Sequence, residues 1–323
     1  MFLKRAVQEI PLQIVLVALS GLLAFLRLWV FADAGPSVSG AFPEAYAHHP
    51  AVFAMLSLLL LLSSSAFLLR MAQHAYLVEH RKFYPAMLLP LFLSLFVRAS
   101  DWFPLAVLAL LCLCLYPLLF AFYSKGYRQN NGLVFGLLCA LASMMYLPMA
   151  LLLLFYYVML LAHRMVNWRS LLLPVTGAGV FWLYAWLFFL CFPGTGEVCA
   201  DYLSRQWQHL GFHMPQLSWR VFLPLAACLL LYVVSTYRMI RFLYVKNIAI
   251  RRKSLLLFYL SLYFLLLFLL TPLENPVPLC GFLSVLALIL CEEEAFLKRR
   301  FFYNALFLCC WALNVIFLFF PSC

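Results

Sequence analysis

The stretch Arg164–Phe192 reads RMVNWRSLLLPVTGAGVFWLYAWLFFLCF, and it shows the pattern of charged gap and long apolar run that decides the fold. Arg164 and Arg169 precede an unbroken apolar run over Leu171–Phe192. An apolar run of that length can cross a hydrocarbon core of about 30 Å as a helix. The Pro193-Gly194 pair that follows is a strong signal for the end of a helix. This stretch therefore predicts one membrane span with a basic segment before it.

The same pattern recurs along the chain. The other apolar runs are Pro11–Ala32, Ala51–Leu69, Pro85–Val97, Pro104–Tyr123, Gly132–Leu147, Pro148–Ala162, Val221–Ile240, Leu255–Thr271, Val277–Cys291 and Phe301–Phe320. Backbone groups in lipid must be satisfied within their own segment, so each run should be a helix. We predict an all-α fold: a polytopic transmembrane helical bundle of about 11 spans (range 10–12), forming one integral membrane domain over residues 1–323.

One part of this prediction stays open. The runs Gly132–Leu147 and Pro148–Ala162 are short and have almost no gap between them. They form either two short spans or a re-entrant helical pair. Both versions begin and end on the same side of the membrane, so the rest of the topology is unaffected.

The charges give the orientation. Hydrophobic residues make up 67% of the chain and charged residues only 10%, which excludes an ordinary soluble domain. Of the 22 Lys and Arg residues, about 18 lie in or at the edge of alternate gaps, whereas the intervening gaps hold only Arg98, Arg205 and Arg220. By the positive-inside rule, the N-terminus is cytoplasmic and the C-terminus periplasmic in a bacterial inner membrane. The net charge of +11 then faces anionic lipid head groups, and we expect no nucleic-acid partner.

Two outer connections are long enough to build a site: the first outer loop, 33–50, and the segment 193–220. In the second, charged and polar residues recur every four positions, at Glu197, Asp201, Arg205 and His209. This spacing predicts an amphipathic helix on the outer interface, capped by Thr195 and anchored by Trp207 and Tyr202. The His209-x3-His213 pair lacks a third ligand, so we predict no metal and no cofactor.

Two stretches carry motifs that resemble a known family. They are His74–Leu95, with Tyr76, His80, Lys82 and Tyr84-Pro85-Ala86, and Asn130–Tyr184, with Asn131-Gly132, Gly136, Leu141-Ala142-Ser143, Tyr146-Leu147-Pro148, Arg164, Asn167-Trp168-Arg169, Pro174 and Gly177. The likeness is to a family of multi-pass inner-membrane proteins of Bacteroidota, a domain of unknown function, and it covers about a third of the chain. Its motifs are structural markers, so the resemblance implies a location and no site.

A more distant resemblance is to the C-type glycosyltransferase superfold, whose members use polyprenyl-phosphate-linked sugars. Those enzymes place a catalytic acid in the first outer loop, and Pro43-Glu44-Ala45-Tyr46 here is similar to the acidic motif of that loop. The position before Glu44 is Pro43 rather than Asp, which departs from the family pattern. The resemblance implies an architecture more than an activity.

Three function classes follow from these observations. In a lipid-linked group transferase, Glu44 or Asp33 would be the base, and basic side chains would hold the lipid phosphate: Arg205, Arg220 and Arg98, with Asp101 beside the last. In a non-enzymatic subunit of an envelope-assembly or secretion system, the same acids would be solvated loop residues and the partners would be other membrane proteins. A transporter ranks third, because ionisable residues within the spans are nearly absent. Whether the chain is an enzyme stays open at this stage.

Overall fold

The computed structural model describes residues 50–74, 84–93, 96, 102–121, 129–208, 211, 219–242, 248–271, 276–292 and 312. Every regular element in these ranges is helical. In chain order they are α1 (Pro50–His74), α2 (Tyr84–Leu93), α3 (Trp102–Ala121), α4 (Gln129–Met145), a 3-10 turn (Leu147–Ala150), α5 (Leu151–Ala162), α6 (Trp168–Cys191), α7 (Pro193–Gln208), α8 (Trp219–Phe242), α9 (Ile248–Leu270) and α10 (Val277–Glu292).

Five of these helices, α1, α3, α6, α8 and α9, are long and apolar enough to cross a membrane. Four further predicted spans are helices of fewer than 18 residues: α2, α4, the turn with α5, and α10. The two remaining predicted spans, Pro11–Ala32 and Phe301–Phe320, lie outside the residues that the structure describes, apart from Ala312. The all-α prediction is thus confirmed for the described residues, and the count of about 11 spans stays a prediction.

The described helices form two compact units. The first contains α1, α2, the part of α3 up to Ala109, α8 and α10. Its centre is α10, where every residue from Val277 to Leu290 is buried. A helix that is apolar on all sides belongs in the middle of a bundle, and α10 accordingly packs on α1, α2 and α8, with the rings of Tyr232 and Phe282 in edge contact at 5.3 Å.

The second unit contains α3 from Leu110, α4 to α7 with the 3-10 turn, and α9. Its main contact is the packing of α4 on α6. A Cβ atom on Gly136 would overlap the carbonyl oxygen of Pro174 and lie 2.6 Å from its carbonyl carbon. A Cβ on Gly177 would lie 3.0 Å from the backbone nitrogen of Leu137. The two backbones touch, so both glycines are required by the close approach.

Two details of the sequence-based prediction are wrong. Thr195 was expected to cap α7, but α7 begins at Pro193, and the Thr195 hydroxyl donates back to the Phe192 carbonyl at 2.7 Å. Proline suits the first helical position because its missing N–H has no partner there. The helical run that the sequence predicts from Leu255 begins earlier, because α9 already starts at Ile248. Long basic side chains extend back to the interface, so a helix can continue past the apolar core.

Candidate functional site at the break after α4

The helical path from α4 to α5 is broken at Tyr146, within the second unit. Tyr146 is extended, with φ −140° and ψ 102°, and a 3-10 turn follows it. Pro148 favours a break here, because it has no N–H and its ring crowds the carbonyl four residues earlier, although α3, α6 and α8 continue through Pro117, Pro174 and Pro224. The Tyr146 N–H still bonds to Ala142 O at 2.8 Å, which closes α4. The break leaves the Met145 carbonyl and the Leu147 N–H in need of partners, whereas the Pro148 carbonyl already accepts from the Leu151 N–H.

Helix α7 supplies these partners. The Gln206 side chain accepts from the Leu147 N–H at 2.7 Å and donates to the Met145 carbonyl at 3.1 Å. The Tyr202 hydroxyl donates to the same carbonyl at 2.8 Å. Burial raises the pKa of Tyr202 to about 12, so this hydroxyl keeps its proton and remains a donor at neutral pH. Three hydrogen bonds therefore fix α7 to the break.

Helix α9 contributes a further hydrogen bond at the break. The Tyr263 hydroxyl donates to the Pro148 carbonyl at 3.1 Å. Tyr146 itself is 2% exposed, and its buried hydroxyl has no hydrogen-bond partner within the part of the chain that the structure describes. Just after α7, the Gly211 N–H bonds to the carbonyl of Leu270, the last residue of α9. The break is thus a junction where α4, α5, α7 and α9 meet.

The outward side of α7 carries charge. Glu197, Asp201 and Arg205 are all exposed, as the four-residue spacing in the sequence predicts for one face of a helix. Trp207 is 68% exposed, which suits its expected part as an interfacial anchor. Tyr202 is not available for anchoring, because its hydroxyl is bonded to Met145. The stripe of α7 that faces the protein is Gly196, Cys199, Tyr202, Leu203 and Gln206.

Of the residues predicted to form a site, one has both its position in a helix and its side-chain exposure described. Arg205 lies on the exposed face of α7. Arg220 is in the first turn of α8, which belongs to the other unit. The remaining predicted site residues lie outside the described part of the chain: Asp33, Glu44, Arg98 and Asp101. The proposed grouping of an acid with Arg205 or Arg220 therefore stays a prediction.

The sequence reading missed Gln206 and Tyr263. A signal for Gln206 was present, because the stripe Cys199, Tyr202, Leu203 and Gln206 follows the helical spacing of a buried face. An amide on such a stripe predicts a buried hydrogen-bond partner. Tyr263 offered no such signal, since tyrosine is common in apolar helices.

The described residues contain no group of His, Cys, Asp and Glu side chains that could hold a metal ion. No family model, curated protein or solved structure matches this chain. Any function must therefore be argued from the described residues and the sequence.

Proposed function

We propose that this chain is a multi-pass membrane protein that handles a lipid-phosphate-linked substrate at the membrane face where α7 lies. The supporting observation is the fixation of α7 by Tyr202 and Gln206 to the break after α4. An amphipathic helix that only floats on lipid gives its side chains no defined position. Here three hydrogen bonds hold the helix, so Arg205 is presented at a fixed place.

The proposed chemistry is group transfer from a polyprenyl-phosphate carrier at the periplasmic face. Glu44, with Asp33 as the second candidate, would accept the proton of the acceptor hydroxyl. Arg205, Arg220 and Arg98 would contact the phosphate, because a guanidinium offers a planar fork of donors. The resemblance of the first outer loop to C-type glycosyltransferases supports this substrate class.

The binding part of the proposal is tested with purified protein in detergent. Native mass spectrometry would measure retention of a polyprenyl phosphate by the wild type, Arg205→Ala and Arg205→Lys. We expect Arg205→Ala to lose roughly tenfold, the effect of one charge-assisted hydrogen bond, and Arg205→Lys to lose less. Ser204→Ala is the matched control, since Ser204 is exposed on the same helix and donates to Asp201 O in its own turn. Equal retention by all four proteins would refute the role of Arg205.

The catalytic part is tested in cells. In a deletion strain, Glu44→Gln keeps the shape of the side chain and removes its charge, so a general base lost there should cost about 10²–10⁴-fold in rate. Asp33→Asn separates the two candidate acids. Envelope glycans and extracted polyprenyl lipids would be compared by mass spectrometry. Full complementation by both variants would show that neither carboxylate is needed as a general base, and would contradict the proposed enzyme function.

A second candidate, a non-enzymatic membrane subunit, is favoured by α6. Only 17% of this helix is buried within the protein, against 39–67% for the other four helices of membrane length. Its uncovered surface is rich in aromatic side chains, including Trp182, Tyr184, Trp186 and Phe188. Cross-linking from a photoreactive residue at position 187, in whole cells, distinguishes lipid from a protein neighbour. A single defined protein adduct would support the subunit role, and lipid adducts alone would oppose it.

The proposed orientation has its own test. If residues 251–253 are cytoplasmic and α7 is periplasmic, an impermeant thiol reagent added to intact cells should label Ser204→Cys and leave Arg251→Cys unlabelled. Both variants are made in a background without accessible native cysteines. Labelling of Arg251→Cys alone would reverse the orientation.

A further inference from the structure

The second unit has a basic end as well as the end that carries α7. The turn between α5 and α6 lies at the N-terminus of α6, whereas α7 follows its C-terminus, and 24 helical residues separate them, or about 36 Å. Helix α9 runs between the same two ends. Arg252 near its start lies 3.9 Å (Nη1) from the Met165 sulfur, and Leu270 at its end bonds to Gly211 beyond α7. Two segments 87 residues apart thus converge at the basic end.

The turn at this end is rigid. The Met165 N–H bonds to Leu160 O at 3.0 Å and the Arg164 N–H to Leu161 O at 3.1 Å, which is the paired pattern of a Schellman motif. On the other side of the turn, Asn167 and Ser170 form a reciprocal capping box at the start of α6. Backbone hydrogen bonds and caps therefore fix the positions of Arg164 and Arg169 from both sides.

Arg164 occupies a position that usually belongs to glycine. Its φ is 53°, in the left-handed region, and among the described residues it is the only non-glycine with a positive φ. A side chain here costs conformational energy that glycine would avoid. Residues held in such conformations are concentrated at functional sites, so the outlier suggests that its side chain is used.

The charge at this end is unbalanced within the unit. Arg164 and Arg169 are exposed, and Arg252 is half-buried beside Met165. The unit contains only two carboxylates, Glu197 and Asp201, and both are on α7 at the other end. The first turn of α6, which contains Arg169, adds the positive end of a helix dipole.

From these observations, we infer that Arg164, Arg169 and Arg252 form a binding site for one phosphate group of an anionic ligand. The ligand's phosphate oxygens would accept from the three guanidinium groups. Because the site lies at the end of membrane-length helices α6 and α9, the expected source is the head group of an anionic phospholipid. A soluble phosphate compound offers the same chemistry and is the second source to be tested. The inference is independent of the function proposed for α7.

The decisive variant is Arg164→Gly. Glycine is the preferred residue at this position, so the variant should fold at least as well as the wild type while lacking the guanidinium. Arg252→Ala is the second variant, from the other segment. Arg70→Ala is the control, because it removes one positive charge from an exposed position on α1, in the other unit.

The protein is placed in nanodiscs of phosphatidylcholine with a small share of phosphatidylglycerol, and the lipids retained after release are counted by native mass spectrometry. We expect retention of one phosphatidylglycerol, roughly a tenfold loss in Arg164→Gly and in Arg252→Ala, and no loss in Arg70→Ala. In a second arm, inorganic phosphate and pyrophosphate are titrated into discs of pure phosphatidylcholine. Binding there, with the same pattern among the variants, would identify a soluble phosphate ligand.

One result would overturn the inference. In that result, Arg164→Gly melts at a higher temperature than the wild type. Arg164→Gly and Arg252→Ala also retain phosphatidylglycerol and bind phosphate as well as Arg70→Ala does. The basic end of the second unit would then have no specific phosphate site. Arg164 would then be a tolerated residue in a helix-ending turn.

Discussion

Helix α4 is held in two different ways along its length. In its first half, Gly136 lets the backbone touch the backbone of α6 at Pro174. At its last residue, Met145, polar side chains of α7 reach in and bond to the exposed carbonyl. The first contact needs the absence of an atom, and the second needs particular polar atoms in particular places. The same helix is thus held to one neighbour by close backbone packing and to another by side-chain hydrogen bonds.

The difference predicts different sensitivity to mutation. A backbone contact cannot yield to an added methyl group without moving a whole helix. A hydrogen bond from a side chain can be lost while the fold survives, at the cost of an unsatisfied backbone group. An added methyl group at the backbone contact should therefore cause a large loss of stability. The loss of one side-chain hydrogen bond at the other contact should cause a smaller one.

The largest effect is expected for Gly136→Ala. The new Cβ would overlap the Pro174 carbonyl oxygen and lie 2.7 Å from its Cα, and neither atom can rotate away. We expect a loss of about 3 kcal/mol or more in the free energy of unfolding, at or above the upper range for overpacking. Thermal unfolding of the purified protein in detergent measures it.

Gly179→Ala is the matched control, on the partner helix α6. A Cβ there meets nothing within 4 Å, so the change should be neutral or stabilise the helix by up to about 1 kcal/mol. If the two alanines have equal effects, the close approach of α4 and α6 is wrong.

The next effect is expected for Gln206→Ala, which removes an acceptor and a donor at the break. Leaving the Leu147 N–H unpaired should cost about 1–3 kcal/mol. Gln206→Glu keeps the acceptor for Leu147 but places a carboxylate oxygen against the Met145 carbonyl oxygen, so its loss at neutral pH should be of the same order. Limited proteolysis of α7 and unfolding curves report both. Gln208→Ala, at an exposed position two residues later, should not change the stability. A comparable loss there would argue against the hydrogen bonds that hold α7 to the break.

A third prediction contrasts this long-range cap with a local one. Asn167 caps α6 by itself, through the capping box with Ser170, without help from another helix. Asn167→Ala should cost about 1 kcal/mol, and Asn167→Asp should retain most of the stability. The same unfolding assay applies. An Asn167→Ala loss larger than that of Gln206→Ala would reverse the ranking of local and long-range caps.

The smallest expected effect is a pH dependence at the basic end. Burial, and then the charge of Arg252, lower the pKa of His163 below its usual value. The unfolded chain therefore takes up the proton first as the pH falls below about 6.5, so this contribution to stability is present above that pH and is lost below it. His163→Gln should flatten the fall in melting temperature between about pH 7.5 and 5.5. The exposed His74, changed to Gln, is the control, and equal flattening by both would contradict the assignment.

The sequence alone determined a large part of this picture, where the physics is local. Apolar runs such as Leu171–Phe192 predict helices because backbone groups in lipid must form hydrogen bonds within their own segment. Helix α6 covers that run up to Cys191. The small residues Gly132, Gly136 and Ala140, four apart in α4, indicate a close helix contact, and at Gly136 the structure has one. Pro148 favours the interruption after α4, but α3, α6 and α8 continue through their own prolines, so the residue type alone did not decide it.

Only the tertiary structure decided which partners those features have. Periodicity says that α4 carries a small-residue face, but not that Pro174 and Gly177 of α6 meet it. Pro148 says that backbone groups are left open, but not that Gln206, 58 residues later in the chain, closes one of them. The contact of Met165 with Arg252 is likewise invisible in sequence. The reason is that helix formation depends on neighbours in the chain, whereas these contacts depend on how whole helices pack, which the spacing of residue types does not encode.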